Sequence, residues 1–237
     1  MKIPYFPGCT LHAKARSFDV SARDASAALD VCFEELPEWT CCGAAFSTAG
    51  DSAMGLVAPA RILASARPAD RLLTLCSFCY HTLKRTNHAL AADPERREKV
   101  ASFIEADYRG EVRPVHLLEV LRDEVGFAAL AQRVRVALKG LKVAAYYGCL
   151  LLRPPEEMQF DDPERPSLLE NLLRSLGCEV VDFPHATECC GSYLVVSAPE
   201  TAQECSAKIL DAAARRGAQV LAVSCPLCQY NLDRAQA

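Results

Sequence analysis

The chain has 237 residues, 51% of them hydrophobic, a net charge of −4 and thirteen cysteines. The length suits two modest domains, and the negative balance argues against a nucleic-acid-binding surface. No apolar run reaches the ~20 residues of a membrane helix, and the opening Met1-Lys2-Ile3-Pro4 has no signal-peptide core. Thirteen cysteines in such a chain read as thiols in a reducing cytoplasm, there for metal or redox chemistry rather than disulfides.

In chain order, the apolar run 3–6 is a strand leading into Gly8-Cys9. A helix over 20–29 and a strand over 31–36 lead to Cys41-Cys42-Gly43. A helix over 55–66 precedes a buried strand over 72–75, which ends at Cys76-Ser77-Phe78-Cys79, with helix-forming residues over 81–90. Asp93-Pro94-Glu95 opens another helix, with proline in its first turn. Residues 112–121 begin as a strand and finish as a helix, and 127–138 reads as a helix closed by Gly140.

The pattern then starts again. A strand over 143–147 runs into Gly148-Cys149, and a helix (168–176) and a strand (178–183) lead to Cys189-Cys190-Gly191. A helix over 201–216 and a strand over 220–223 end at Cys225-Pro226-Leu227-Cys228, followed by helix-forming 229–234. The gaps between the three signals are 31 and 33 residues in the first copy, 39 and 34 in the second. Three signals in the same order at near-equal spacing mark an internal repeat. Strand–helix alternation predicts parallel sheets, hence two tandem Rossmann-like α/β domains, 1–140 and 141–237. The second copy has no counterpart to residues 112–121, so a partner is one candidate to complete it.

Each copy holds five cysteines: Cys9, Cys41, Cys42, Cys76 and Cys79, then Cys149, Cys189, Cys190, Cys225 and Cys228. Thiolates are the usual ligands of iron–sulfur clusters and of zinc. A Cys-x-x-Cys where a strand turns into a helix aims two sulfurs the same way, and the helix N-terminus favours thiolate. Neighbouring side chains diverge, so the two adjacent cysteines are better placed to reach different metal atoms than to chelate one. Five thiolates also exceed the four of a tetrahedral zinc site, so a cluster is preferred while zinc stays open.

Other residues carry weaker signals. Cys32, Cys178 and Cys205 read as small buried hydrophobes. His12, His81 and His185 lie near the cysteines and are candidates to hydrogen-bond a cluster or protonate a thiolate, against a solvated or structural reading. His88 and His116 carry no signal. Lys14, Arg16 and Arg153 follow first-position cysteines and could bind an anionic substrate tail, or simply be surface charge. Trp39 and Phe78 read as core. The proline-rich loop 154–166 walls the pocket or docks a partner.

On these cysteines the chain resembles the CCG-domain proteins, in particular the B-type subunits of heterodisulfide reductases. Phe6-Pro7-Gly8-Cys9, the stretch from Gly148-Cys149 to Arg153-Pro154, and Asp161-Asp162-Pro163-Glu164 share the likeness, which spans nearly the whole chain. A somewhat short gap before each Cys-x-x-Cys and the short C-terminal tail depart from it. The resemblance implies a noncubane [4Fe-4S] cluster on each set of five cysteines, one of them bridging, with zinc in the N-terminal motif of some relatives. It also implies a disulfide cleaved, or thiol or sulfane sulfur oxidised, between the two clusters, with the substrate free or carried on a protein. Electrons would arrive through a small iron–sulfur subunit from a flavin-containing subunit. The alternative is an iron–sulfur electron-transfer subunit of another oxidoreductase complex. The alanine- and arginine-rich composition points to a bacterial source.

Overall fold

The computed structural model describes residues 1–44 and 52–236. They form two compact units, Met1–Leu117 and Leu118–Ala237. Both are α/β, each built on a parallel sheet.

In the first unit, β1 (Lys2–Tyr5) lies between β2 (Cys32–Glu35) and β3 (Arg71–Thr74), and β4 (Arg113–His116) closes the far edge, giving the order β2-β1-β3-β4. The central strands are short apolar runs because both faces are covered. Ile3, Tyr5, Leu72, Leu73 and Thr74 are fully buried. Among the described residues the unit's helices are α1 (Gly8–Ala13), α2 (Arg16–Ala27), α3 (Met54–Ser65), α4 (Ser77–Ala92) and α5 (Pro94–Ile104), and α6 (Leu117–Val120) leads across into the second unit. Asp93 caps α5, its carboxylate accepting from Arg96 N–H at 3.0 Å with Pro94 in the first turn, as the Asp-Pro-Glu signal predicts. A π-turn, Leu121–Val125, follows α6.

The second unit carries β5 (Lys142–Tyr146) between β6 (Glu179–Val181) and β7 (Val220–Val223). Its helices are α7 (Phe127–Arg133), α8 (Pro155–Met158), α9 (Leu168–Ser175), α10 (Pro199–Arg215) and α11 (Pro226–Arg234). Among the described residues this sheet stops at β7, where the first continues to β4.

Two expectations need correction. The helix over 127–138 ends at Arg133, where Val134 turns extended. Val134 and Val136 are β-branched and helix-poor, and the chain leaves so that Leu138 N–H can donate to Leu176 O, past the end of α9, at 3.0 Å. Within the second unit, α7 packs on α9. Cys32 is exposed, because β2 is an edge strand; Cys178 is buried as expected, and Cys205 is half-buried on α10.

The loop 154–166 is tied down rather than loose. Arg153 donates to Thr187 O (3.1 Å), Pro163 O (3.2 Å) and the Glu164 carboxylate (3.2 Å). Asp161 accepts from Ser167 N–H at 2.8 Å and Leu168 N–H at 2.7 Å, capping α9 from outside, where Ser167 itself makes no side-chain cap. Arg153 is therefore a loop clamp, and the Asp-Asp-Pro-Glu stretch is structural. Asp161→Ala should lower stability by about 1–2 kcal/mol, with Asp161→Asn recovering most of it. Urea unfolding of the three proteins checks this, and an unchanged midpoint for the alanine variant would remove the capping role.

Candidate metal centre

Parallel strands end at one edge of a sheet, and loops leaving that edge share a crevice. In the first unit Cys9 follows β1, Cys41 and Cys42 follow β2, and Cys76 and Cys79 follow β3. In the second, Cys149 follows β5, Cys189 and Cys190 follow β6, and Cys225 and Cys228 follow β7. The connection from the first strand runs to one neighbour and the next crosses to the other, so the first and last cysteine loops flank the switch point.

The sulfurs fall into the same arrangement twice. Cys9 and Cys41 are exposed, with Sγ atoms 3.7 Å apart. Cys42, Cys76 and Cys79 are buried; Cys42 Sγ lies 3.6 Å from Cys79 Sγ, and Cys79 also contacts the Cys76 thiol. In the second unit Cys149 and Cys189 are half-buried and hydrogen-bonded to each other. Cys190, Cys225 and Cys228 are buried, with Cys190 Sγ 3.4 Å from Cys228 Sγ and Cys225 bonded to Cys228. The adjacent cysteines thus split, one sulfur joining an outer pair and the other an inner group. Among the described residues no three His, Cys, Asp or Glu side chains are disposed about a single ion.

Local backbone explains the fit. Cys76 and Cys225 are the N-cap residues of α4 and α11, so Cys79 and Cys228 sit in the first turn, at the positive end of the helix dipole. Gly8 and Gly148 have φ of +74° and +69°, open to glycine. A Cβ on Gly8 would sit 2.8 Å from Cys79 Sγ, and one on Gly148 would sit 3.4 Å from Cys228 Sγ. The glycine before the first cysteine therefore makes room for the sulfur of the last. Gly43 and Gly191 N–H donate to Cys41 and Cys189 Sγ at 3.5 and 3.3 Å, contacts that stabilise negative sulfur.

Charge is distributed unevenly over the thiols. Hydrogen bonds with Cys41 and Cys79 pull the Cys42 thiol down to about 4, despite burial. The bond from Cys149 brings Cys189 down to about 6, helped by Gly191 N–H. Cys190 is lowered by Cys228. Cys41, Cys79, Cys149 and Cys228 move up, chiefly because each hydrogen-bonds to a neighbouring sulfur. The two units therefore favour thiolate at Cys42, Cys189 and Cys190, a donor set suited to a thiolate-bound cluster.

The three candidate histidines differ. His12, on α1, is exposed and packs edge-on against Trp39 at 5.4 Å. His81 is buried, its Nδ1 has no hydrogen-bond partner, and burial lowers it to about 4, with Arg85 adding to the effect. It is neutral at pH 7 and carries no imidazolium proton to give. His185 is half-buried; its Nδ1 lies 2.7 Å from the Glu188 carboxylate but is not aligned for a hydrogen bond. Phe78 is core as expected, while Trp39 is half-buried, packing edge-to-face with Phe6 at 5.6 Å. Lys14 and Arg16 are exposed.

Two residues without a signal in the sequence support the site. Tyr146 donates to Glu188 O at 2.7 Å, beside the doubled cysteine, and burial holds its phenol protonated. His116, at the end of β4, contacts Leu75 O at 3.2 Å, just before Cys76. Only their place at strand ends could have flagged them. In the metal-free chain, alkylation of Cys189 should be half-maximal near pH 6, with Cys149 still slow at pH 7; mass spectrometry across pH 5–9 reads both, and equal rates would refute the asymmetry.

The cysteine-rich domain family, CCG, matches residues 3–84 and 143–233, one match on each copy. The chain is 34% identical to the 8-methylmenaquinol:fumarate reductase membrane anchor subunit of Wolinella succinogenes, over 97% of this chain and 81% of that one. It is 28% identical to the B-type subunit of the ferredoxin:CoB-CoM heterodisulfide reductase of Methanosarcina mazei, over 99% and 80%. A protein of Archaeoglobus profundus described as like the B-type subunit of heterodisulfide reductase is 27% identical, over 100% and 82%. A crystal structure of a hypothetical protein from Helicobacter pylori shares the fold with a TM-score of 0.78 at 14% identity, covering 99% of this chain and 44% of that one. Among the described residues no helix is long and apolar enough to cross a membrane. Family and relatives together imply iron–sulfur clusters and an oxidoreductase subunit within a multi-subunit complex. With both copies matched and the likeness running through nearly all of its length, the chain belongs to the cysteine-rich CCG domain family.

Proposed function

We propose that this chain is the sulfur-handling subunit of a heterodisulfide-reductase-like complex, a disulfide/thiol oxidoreductase with one noncubane [4Fe-4S] cluster per repeat. The ligands are Cys9, Cys41, Cys42, Cys76 and Cys79 in one repeat and Cys149, Cys189, Cys190, Cys225 and Cys228 in the other. The observation that carries the reading is the split of each doubled cysteine between an outer pair and an inner group. A tetrahedral zinc site needs four ligands about one point, whereas an extended cluster needs sulfurs spread over several irons.

When bound, each cluster supplies a one-electron step and an iron that can accept a substrate sulfur. The chain's own residues set the conditions. Buried Cys42, Cys76 and Cys79, and Cys190, Cys225 and Cys228, keep water from the inner side. Cys9 and Cys41, and the half-buried Cys149 and Cys189, leave the outer side approachable by a disulfide or thiol. Gly43 and Gly191 N–H hold charge on the outer sulfurs. Reducing a disulfide consumes two electrons and two protons to give two thiols, one electron from each repeat. His12 is the candidate on the exposed side to relay those protons, one helical turn after Cys9. Electrons enter through a small iron–sulfur subunit and a flavin-containing one, in a reducing cytoplasm.

The second reading is an electron-transfer subunit without bond chemistry, favoured by the 34% identity to a fumarate reductase subunit. Two measurements decide. Anaerobically prepared protein should carry about eight irons, and Cys42→Ser or Cys190→Ser should each leave about four; zinc without iron would overturn the cluster reading. Adding a disulfide or thiol should change the electron paramagnetic resonance signal of the oxidised protein. Reversible cluster reduction with no such change selects the electron-transfer reading.

A further inference from the structure

In the second unit one peptide links Cys190 to Gly191, and both of its polar atoms are engaged. Its N–H donates to the outer sulfur, Cys189 Sγ, at 3.3 Å. Its C=O accepts two side-chain bonds, from Ser206 Oγ at 3.0 Å and from Asn231 Nδ2 at 3.2 Å. Both donors are buried, Ser206 completely and Asn231 with 6% exposure. A trans peptide is planar, with N–H and C=O pointing opposite ways. Holding the oxygen on one side therefore aims the N–H at the sulfur on the other.

The donors reach the loop from two helices. Ser206 lies one turn after Ala202 on α10, so the two share a face. That face presses on the loop: a Cβ on Gly191, whose φ is +77°, would meet Ala202 Cα at 2.8 Å. Asn231 is on α11, three residues after Cys228. One donor satisfies a buried carbonyl, and the second adds direction. The first repeat lacks both residues at the matching positions. Thr82 stands three residues after Cys79, and its buried Oγ1 has no aligned hydrogen-bond partner. Ser206 lies 15 residues after Gly191 and 19 before Cys225, and the same counts from Gly43 and Cys76 reach Ala58 and Val57. Among the described residues nothing lies within 4 Å of a Cβ on Gly43, and its N–H stands 3.5 Å from Cys41 Sγ.

We propose that Ser206 and Asn231 are positioning residues of the second centre, gripping the Cys190–Gly191 peptide so that its N–H stays on the Cys189 sulfur. The same two bonds polarise the peptide, because an amide whose oxygen accepts becomes a stronger donor at nitrogen. An N–H aimed at a ligand sulfur stabilises the negative charge that reduction adds. The grip therefore raises the reduction potential of a cluster held by Cys189, and the first repeat has no equivalent of it at Thr82, Ala58 or Val57. The effect on potential rests on the iron–sulfur reading of the site, whereas the aim of the N–H does not.

Two measurements keep these apart. In the metal-free, isotope-labelled full chain, the Gly191 amide should exchange about tenfold faster in S206A and in N231L, with the Gly43 amide unchanged. The iron-loaded protein is titrated in two backgrounds: C42S, which keeps the second cluster, and C190S, which keeps the first. S206A should move the C42S midpoint to more negative potential, so that the reduced-to-oxidised ratio at a fixed potential falls about tenfold, and leave the C190S midpoint in place. S206A removes a single buried atom, so it carries the test alone should N231L fail to fold. An unchanged Gly191 amide in S206A, or midpoints that move equally in both backgrounds or in neither, would overturn the proposal. Zinc without iron would remove the cluster reading, and the amide comparison would still decide the positioning.

Discussion

Everything at the candidate centre depends on strands that run parallel and so end together. A parallel sheet brings three loops to one edge without any cysteine having to reach, and the buried side chains of β1, β3 and β5 anchor that edge. The helices starting at Ser77 and Pro226 then turn positive ends toward the sulfurs that arrive. Anionic sulfur is costly to bury alone. Here the cost is offset by neighbouring thiols that share protons, by backbone N–H groups and by helix dipoles.

The doubled cysteine solves a geometric problem. One strand-end loop must serve both the solvent side and the inner side of the centre, and successive side chains naturally point apart. Cys41 and Cys42 do so, as do Cys189 and Cys190, and the burial gradient follows in both units. The glycine after each pair lets the backbone come close enough for its N–H to reach the outer sulfur. The glycine before the first cysteine clears the inner one. Sequence, local backbone and sulfur placement thus agree at the same few positions.

Much of this was legible in the sequence, because the signals were local. Apolar runs such as 72–75 and 220–223, ending at a Cys-x-x-Cys, identify strand, turn and helix at once. The divergence of adjacent cysteines follows from chain geometry alone. What was hidden depends on partners distant in the chain. The exposure of Cys32 is set by strand order, which puts β2 at an edge. Arg153 is a clamp only because Thr187 and Pro163 fold back onto it. The early end of α7 needs the carbonyl of Leu176, 38 residues beyond Leu138.

The outer pair has one more consequence, for how the protein ages. Cys9 and Cys41 stand at the surface with sulfurs 3.7 Å apart. Closing to the ~2.05 Å of a disulfide takes a shift of only about 1.7 Å. On the proposed cluster reading, oxidation of this pair would remove two ligands of the first repeat in one event. The half-buried pair Cys149 and Cys189 is better shielded. On that reading damage is ordered along the chain, with the exposed outer pair of the first repeat more perishable than the half-buried pair of the second.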